Sequence, residues 1–289
     1  MEFRYVIYKR EEFYEKNGLV PGIGKIFREL MQSGIVILEC RNETILDKLR
    51  EAKAMPEDTL LFAATDMTIN EVKYLPIANI GYANPNYPKE SLFSADILIE
   101  GFAEVDYWFL ERIYQRKHGF PWRVIDTERC YLREMTEEDL PELFDMYAGK
   151  GMTDYMEPLY AWEEELEYTR AYIANMYRFF GYGMWLVKDR YEDKLIGRAG
   201  LNHLEFQGEV VLEMGYAIAV PFQKKGYATE VCEAIIDYAK GADLGYEMLY
   251  CFVWKGNIAS VKLLEKLGFV YLKDVVRDEK EMELYGKKL

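Results

Sequence analysis

Short apolar runs alternate with helix-period segments through the first part of the chain. The apolar runs are rich in β-branched residues, as is typical of strands, and they cover residues 35–38, 60–63, 77–80 and 97–99. In the segments between or after them, apolar residues recur every three to four positions, which predicts helices over residues 23–31, 44–54 and 104–117. Because this alternation is typical of a parallel sheet covered by helices, we expect an N-terminal Rossmann-like α/β domain.

The second part of the chain has longer and more strongly alternating segments. They predict strands over residues 129–134, 184–189, 195–206, 210–220, 249–254 and 281–285. Helical spacing predicts two helices within 136–178, one from Thr229 and one after Asn257. Gly119 and Pro121 stop the preceding helix. We therefore expect two α/β domains, over residues 1–120 and 121–289, the second built on a mixed sheet.

A glycine-bearing loop stands between an apolar strand and a helix. Residues 223–229 read Gln-Lys-Lys-Gly-Tyr-Ala-Thr. The N–H groups at the start of a helix carry partial positive charge and attract phosphate. Gly226 lets the backbone approach a ligand, and Thr229 is a candidate N-cap. The order strand, loop, helix therefore predicts a cradle for a pyrophosphate.

Three spaced segments resemble the GNAT superfamily of N-acetyltransferases. The loop fits the pattern (Gln/Arg)-x-x-Gly-x-(Gly/Ala), residues 257–269 are similar to the second motif of the superfamily, and residues 132–140 look like its first strand and helix. The resemblance covers about residues 122–289 and is greatest to the branch of the ribosomal-protein alanine acetyltransferases. It implies the GNAT fold and acetyl-CoA as co-substrate.

The resemblance also implies which residues hold the cofactor. The pyrophosphate would lie on the loop backbone, with charge added by two lysines; the residues are Gln223, Lys224, Lys225, Gly226, Tyr227, Ala228 and Thr229. The backbone at Ile218 and Ala219 would pair with the pantetheine arm and donate an N–H to the tetrahedral oxyanion. Asn257 is expected to cap its helix and to contact the cofactor.

Three residues are candidates for proton transfer. Glu213, on the strand that leads to the loop, is the preferred base, with a solvent-facing strand residue as the alternative interpretation. His203 is the second candidate base, and its alternative is a structural histidine. Leu264 occupies the position at which many members of the superfamily have an acidic tyrosine, so the resemblance transfers the role of general acid to Ser260. The alternative is that Ser260 only bonds to the helix cap.

The acceptor is an amine in this interpretation. Residues 154–165 correspond to the helices that wall the acceptor site of the superfamily, and they mix aromatic side chains with carboxylates. Such a surface suits a cation, or it is an exposed acidic helix face over core aromatics. Tyr182, Trp185 and Tyr216 are further candidates for the cleft. A protein N-terminus, a polyamine or another small amine fits equally.

Composition excludes several classes of protein. The net charge is −14, with −4 over residues 1–121 (15 basic, 19 acidic) and −10 over 122–289 (21 basic, 31 acidic), which argues against nucleic acid as a ligand. No apolar run approaches the roughly 20 residues that cross a membrane. Four cysteines and two histidines show no metal-like or paired spacing. We expect no metal and a reducing, cytoplasmic environment.

The first half weakly resembles a haloacid-dehalogenase-like domain over residues 18–105. Those phosphatases need an Asp-x-Asp nucleophile after an early strand, and the first 20 residues contain no aspartate. We interpret this half as noncatalytic, for binding or for forming a homodimer. Thr65 and Asp66 look like family remnants, and the alternative is a loop cap or a turn. Two alternatives for the whole chain remain: a CoA-binding protein with a decayed catalytic site, and, nearly excluded, a bifunctional phosphatase–transferase.

Overall fold

The computed structural model describes residues 3–15, 18–242 and 244–289, and the chain divides into two compact units, Met1–Trp122 and Arg123–Leu289. Each unit has its own sheet and its own apolar core. The two units are described separately below.

The described residues of the first unit form a five-stranded sheet with helices on both faces. Its elements in chain order are β1 (Tyr5–Lys9), α1 (Arg10–Phe13), β2 (Tyr14–Glu15), β3 (Gly18–Leu19), α2 (Ile23–Gln32), β4 (Val36–Cys40), α3 (Ile45–Ala52), β5 (Thr59–Ala63), α4 (Asp66–Val72), β6 (Ala78–Tyr82), β7 (Ile97–Ile99) and α5 (Tyr107–Lys117). The strand order is β4-β1-β5-β6-β7, and every neighbouring pair is parallel. The predicted parallel α/β architecture is confirmed.

The sequence patterns missed β1, which lies inside this sheet between β4 and β5. When the five strands of this sheet are numbered in chain order, they lie in the order 2-1-3-4-5, which is the flavodoxin-type arrangement. The direction in which successive strands are added reverses beside β1. The pattern Tyr-Val-Ile-Tyr-Lys is short and mixes polar with apolar residues, although Tyr8 and Lys9 are buried. Only the tertiary arrangement identifies this segment as an interior strand of the sheet.

A buried carboxylate fills the crevice where the winding reverses. Glu12 follows β1 and accepts hydrogen bonds from Ala64 N at 2.5 Å, from Thr65 Oγ1 at 2.7 Å and from Thr68 Oγ1. Burial raises the pKa of Glu12, and these hydrogen bonds oppose the shift. Thr65 is the N-cap of α4, so its interpretation as a cap residue is confirmed. Asp66 accepts hydrogen bonds from the N–H groups of the neighbouring loop at residues 91 and 92.

The second unit is built on an eight-stranded mixed sheet in the described residues. Its elements are β8 (Arg123–Asp126), β9 (Cys130–Arg133), α6 (Leu140–Tyr147), α7 (Trp162–Tyr172), a π-helical segment (Ile173–Phe180), β10 (Met184–Asp189), β11 (Leu195–Phe206), β12 (Glu209–Ile218), α8 (Tyr227–Gly241), β13 (Met248–Trp254), α9 (Ile258–Lys266), β14 (Val270–Arg277) and β15 (Lys280–Lys288). The strand order is β14-β15-β13-β12-β11-β10-β9-β8. The predicted mixed sheet is confirmed.

The period-2 pattern located the long strands of this sheet well and missed two short or edge strands. The bounds of β10 and β11 agree with the prediction, whereas β8 and β14 were not predicted. Most residues of β14 are exposed, including Val270 and Val276, so its pattern lacks one buried face. A strand without a buried face shows little alternation, and the sequence signal fails there for that reason.

The core of the second unit packs α8 against the sheet. Val231, Cys232, Ile235 and Ile236 are buried on one face of this helix, as its spacing predicted. Cys232 and Cys251 are core residues, and all four cysteines of the chain are buried free thiols. Among the described helices, none combines the length and apolar character that a membrane span requires.

Candidate active site

The two parallel strands β12 and β13 separate shortly after they pair. Their register contains Leu212 with Leu249 and Glu213 with Tyr250. By contrast, β12 pairs with β11 over its whole length, from Glu209 to Ile218. The strands therefore diverge beyond Glu213, and the edge of β12 from residue 214 to 218 is left without a strand partner on that side.

The backbone of β12 directs alternate N–H groups into this gap. The N–H of Ala219 donates to Ile196 O at 2.8 Å, on the β11 side. Because N–H directions alternate along a strand, the N–H groups of Ile218 and Tyr216 point to the opposite side, toward the gap. Of the two backbone positions predicted to face the thioester, Ala219 cannot donate to the oxyanion in this arrangement, because its N–H is already used by the sheet. Ile218 remains a candidate donor.

A cavity of about 850 Å³ opens in and beside the gap. Its walls come from the two diverging strands, from the segment before α7, from the start of α9 and from the turn after β14. In that order, the lining includes residues 214–217, 251–254, 155–160, 257, 260, 277 and 278. Both aromatic and charged side chains face it. The cavity is large enough for the extended arm of a cofactor together with a small acceptor.

Glu213 lies in the wall of this cavity, at the point where the strands separate. Its carboxylate is largely buried and pairs with Arg277, whose Nη1 lies 3.1 Å from Oε1. Burial raises the pKa of Glu213, and the positive charge of Arg277 opposes that shift. The alternative interpretation of Glu213 as a solvent-facing strand residue is wrong, because its side chain is largely buried and paired. A carboxylate with a raised pKa is suited to accept a proton near neutral pH.

His203 lies elsewhere. It pairs with Leu212 across β11 and β12, whereas Asn202 pairs with Glu213. Since side chains alternate, the imidazole and the Glu213 carboxylate occupy opposite faces of the sheet. His203 Nδ1 lies 2.9 Å from the hydroxyl of Tyr246, and its ring stacks on Phe180. His203 is not among the residues that line the cavity, so the geometry favours its structural interpretation.

The predicted phosphate loop forms the tight turn into α8. Gly226 is the N-cap with φ 85°, and Lys224 has φ 57°, so two left-handed residues curl the chain just before the helix. The first bond of the helix runs from Glu230 N to Gly226 O. The earlier N–H groups of a helix have no intrahelical acceptor and are available to an anion. The Gln223 side chain donates to Ile218 O at 2.9 Å and ties the loop to β12.

Thr229 does not cap this helix. The helix begins at Tyr227, so Thr229 is its third residue, and Gly226 takes the cap position without a side-chain hydrogen bond. The N-cap prediction is therefore wrong, because the left-handed turn at Gly226 starts the helix two residues earlier than the apolar period indicated. Ala228 and Thr229 still contribute N–H groups of the first turn, and Lys224 and Lys225 are exposed beside it.

Arg129 anchors the loop, and the sequence patterns did not identify it. Its Nη1 donates to Lys225 O at 3.0 Å, and its Nε pairs with Glu230 at 2.7 Å. The guanidinium also lies 4.2 Å from the ring centroid of Tyr227. The partner residues are about a hundred positions away in the chain, so no local pattern could reveal the contact. Arg129 fixes the shape of the turn that would hold a phosphate.

The start of α9 faces β12 across the cavity. Asn257 is its N-cap and accepts a hydrogen bond from Ser260 N at 3.2 Å, which confirms the predicted cap. Both residues line the cavity, whereas Leu264 is fully buried. Tyr216 is a second hydroxyl near Ser260; burial raises its pKa, and hydrogen bonding to Ser260 opposes the shift. The Tyr216 oxygen itself is buried and has no geometrically satisfactory partner among the described residues.

The predicted acceptor segment contributes to the wall of the cavity. Tyr155, Glu157 and Tyr160 line it, and Glu165 lies there with its carboxylate accepting from Tyr160 N at 3.0 Å. Trp162 instead packs against Phe144. Of the three further aromatic candidates only Tyr216 lines the cavity, whereas Tyr182 and Trp185 are core residues, so the cleft prediction is wrong for these two.

Comparison with known proteins identifies the family that the second unit resembles. Residues 129–270 match the family model described as an acetyltransferase (GNAT) domain. YkkB of Bacillus subtilis (strain 168) is 27% identical over 166 residues, which are 56% of this chain and 94% of that protein. YoaA of the same organism, described as an N-acetyltransferase, is 28% identical over 148 residues, 50% of this chain and 82% of that protein.

The fold agrees with this match. A crystal form of RimL, a ribosomal alpha-N-protein acetyltransferase, superposes with a TM-score of 0.50 at 15% identity and covers 58% of this chain and 95% of that one. The second unit therefore has the fold of this structure, and residues 129–270 within it match the GNAT acetyltransferase family, as the sequence motifs indicated. GNAT acetyltransferases use acetyl-CoA as co-substrate, in agreement with the cofactor expected from the sequence.

Proposed function

We propose that the second unit is an N-acetyltransferase that moves the acetyl group of acetyl-CoA directly to a primary amine. The observation that carries the proposal is the gap between β12 and β13, with Glu213 at its closed end and the Gly226 turn beyond its open end. A thioester arm laid along the free edge of β12 would bring its carbonyl near the Ile218 N–H. The cavity beside it would receive the acceptor.

Glu213 is the proposed base. It would take the proton of the acceptor ammonium, directly or through a water, so that the amine nitrogen can attack the thioester carbonyl. The pKa of Glu213 is raised by burial, so the carboxylate holds a proton more readily than an exposed glutamate does. Arg277 opposes this rise, which favours the ionised carboxylate at neutral pH before the acceptor enters.

The remaining steps involve the oxyanion and the thiolate. An N–H donor from Ile218 would stabilise the tetrahedral intermediate by roughly 3 kcal/mol. When the C–S bond breaks, the thiolate takes a proton, for which Ser260 is the proposed donor. Ser260 and Tyr216 both line the cavity, but the hydroxyl oxygen of Tyr216 is buried. The pyrophosphate would lie on the first N–H groups of α8, within the turn that Arg129 holds.

The test is the release of free CoA from acetyl-CoA across a panel of small amines, polyamines and N-terminal peptides. We expect acceptor-dependent release that is lost in Gly226→Trp, because a side chain at this left-handed turn would occupy the phosphate site. Gly208→Trp is the matched control: Gly208 has the same φ of 85° but lies in the hairpin between β11 and β12, with no atom within 4 Å of an added Cβ.

The second candidate function is CoA binding without turnover. Leu264 favours this second candidate, because many members of the superfamily have at that position a tyrosine that acts as the general acid. A thermal shift with acetyl-CoA but no release with any amine would support this candidate and contradict the transferase proposal. The absence of both a shift and release would contradict both. We also propose a cytoplasmic location, a noncatalytic first unit, and no direct role for nucleic acid or membrane.

A further inference from the structure

Arg198 faces the cavity from the middle of β11. It pairs with Ala217 across the two strands, as Asn202 pairs with Glu213. Side chains of paired residues share a face, and residues two and four apart on one strand also share it. Arg198 and Glu213 therefore lie on the same face of the sheet, and both line the cavity. Arg198 lies four positions before Asn202 along β11, which is about 13 Å of strand.

The guanidinium of Arg198 is buried and incompletely paired. The residue is 9% exposed, and its Nε has no hydrogen-bond partner among the described residues. None of the described carboxylates forms an ion pair with it. A buried charge without a counter-charge is costly. An unsatisfied buried donor in a cavity wall therefore calls for a ligand.

The groups around Arg198 are neutral phenols. Burial raises the pKa of Tyr147 and Tyr168, and the positive charge of Arg198 opposes the shift. Burial likewise raises the pKa of Tyr172 to about 12, and Arg198 lies 5.7 Å from the centroid of its ring. These side chains surround the guanidinium with aromatic surface and hydroxyl dipoles and supply no negative charge at neutral pH.

We propose that Arg198 binds a carboxylate of the acceptor, and that the acceptor is therefore a small amine that also carries a carboxylate. The inference rests on the proposed function, which it deepens. A guanidinium matches a carboxylate with two parallel hydrogen bonds. The amine would point toward Glu213 and the carboxylate toward Arg198, at two positions on one face of the sheet.

The charges in the cavity favour a carboxylate over other groups. A polyamine would place a positive charge beside an unneutralised guanidinium. A phosphate dianion would need more than one cation, and the other cavity-lining arginine, Arg277, already pairs with Glu213. The lining also holds the carboxylates of Glu157 and Glu165, but Glu157 pairs with Lys280 and Glu165 accepts from Tyr160 N. Arg198 is therefore the cavity-lining guanidinium, among the described residues, that has no ion-pair partner, and it would bind one carboxylate. The sequence suggested a cationic acceptor because the acidic segment 154–165 was visible in the chain, whereas the position of Arg198 in the cavity was not.

The experiment compares acids with their amides on the full-length protein. The acceptors are glycine, β-alanine, 4-aminobutyrate and 6-aminohexanoate, each with its carboxamide, together with spermidine and N-terminal peptides. For the best chain length we expect kcat/KM of the acid to exceed that of the amide by about 10- to 100-fold. In Arg198→Gln this ratio falls to about 1, through loss of activity on the acid, while activity on the amide changes less than about threefold.

Two controls separate recognition from structure. Arg190→Gln removes a surface guanidinium that pairs with Asp126 and should leave the acid-to-amide ratio unchanged. Acetyl-CoA binding by Arg198→Gln should equal that of the unmodified protein, which shows that the fold is intact. Arg198→Lys keeps the charge without the paired geometry and should retain part of the preference.

Several results would overturn the proposal. One is an acid-to-amide ratio near 1 in the unmodified protein, and another is a preference that survives in Arg198→Gln. Turnover of spermidine or N-terminal peptides alone would reject the carboxylate acceptor and leave the proposed transferase function standing. Release of CoA with none of the amines would reject both.

Discussion

The Arg277 guanidinium lies 3.1 Å from the carboxylate of Glu213, and the contact joins the end of β14 to the middle of β12 at the wall of the cavity. The two residues are 64 positions apart in the chain. Burial raises the pKa of Glu213, and Arg277 opposes that rise. The proposed base is therefore tuned by a residue on an otherwise exposed edge strand.

Arg277→Gln tests this tuning through the pH dependence of the reaction. Activity on a given acceptor should rise with pH as Glu213 loses its proton, so the acidic limb of kcat/KM reports its folded-state pKa. Without Arg277, only the hydrogen bond with Asn202 opposes the effect of burial on the pKa of Glu213, so the midpoint of that limb should move to higher pH. Lys273→Gln is the control, because Lys273 lies on the same strand but contacts Gln207. A limb that stays in place in Arg277→Gln would contradict the assignment of the base.

Glu213→Gln removes the proposed base while keeping the size of the side chain. We expect kcat to fall by about 10²- to 10⁴-fold, the range for loss of a general base. Acetyl-CoA binding should not change, because the proposed cofactor residues lie within residues 218–229 and at Asn257, the cap of α9. Glu209→Gln, at the exposed start of the same strand, should have full activity. Turnover within threefold of normal in Glu213→Gln would exclude this carboxylate from catalysis.

Arg129→Gln tests the anchor of the phosphate turn. Loss of its bonds to Lys225 O and Glu230 should loosen the start of α8, so the KM for acetyl-CoA should rise by about tenfold with little change in kcat. Steady-state kinetics at a fixed acceptor concentration measure both constants. Arg190→Gln again serves as the matched control on a surface ion pair. An unchanged KM would show that the turn does not need this anchor.

Ser260→Ala and Tyr216→Phe distinguish the two hydroxyls near the proposed thiolate. Ser260 lines the cavity, whereas the Tyr216 oxygen is buried. We therefore expect Ser260→Ala to lower kcat by about 10²-fold and Tyr216→Phe to change it less than threefold. Rates with acetyl-CoA at saturation provide the comparison. The opposite order would assign the proton donor to Tyr216.

Glu12→Ala tests the buried carboxylate of the first unit. It leaves the donors of Ala64, Thr65 and Thr68 unpaired, so the free energy of opening of this unit should fall by about 3 kcal/mol. Hydrogen exchange of peptides from residues 3–122 measures this for one unit at a time. Glu11→Ala is the neighbouring exposed control and should have little effect. Equal protection in the two variants would mean that Glu12 does not stabilise the crevice.

Whether a feature could be predicted from the sequence depends on how far apart in the chain the interacting residues lie. Patterns with a local cause were predicted correctly: the strands β10 and β11, the buried face of α8, the Asn257 cap and the glycine turn before α8. Alternation, helical period and capping involve residues within a few positions of one another, so they are present in the sequence itself. The motifs carried the acetyltransferase assignment for the same reason.

Contacts between distant segments were decided by the tertiary structure alone. The sequence does not reveal that β1 lies between β4 and β5, or that the Ala219 N–H is taken by Ile196. Nor does it reveal that Arg277 faces Glu213, or that Arg198 is buried in the cavity wall. Each depends on which strands become neighbours and on the register between them. The sequence by itself determined the two α/β layouts and the glycine turn before α8. Strand pairing determined the proposed base, its charge partner and the candidate acceptor contact, because side-chain chemistry depends on neighbours that only folding brings together.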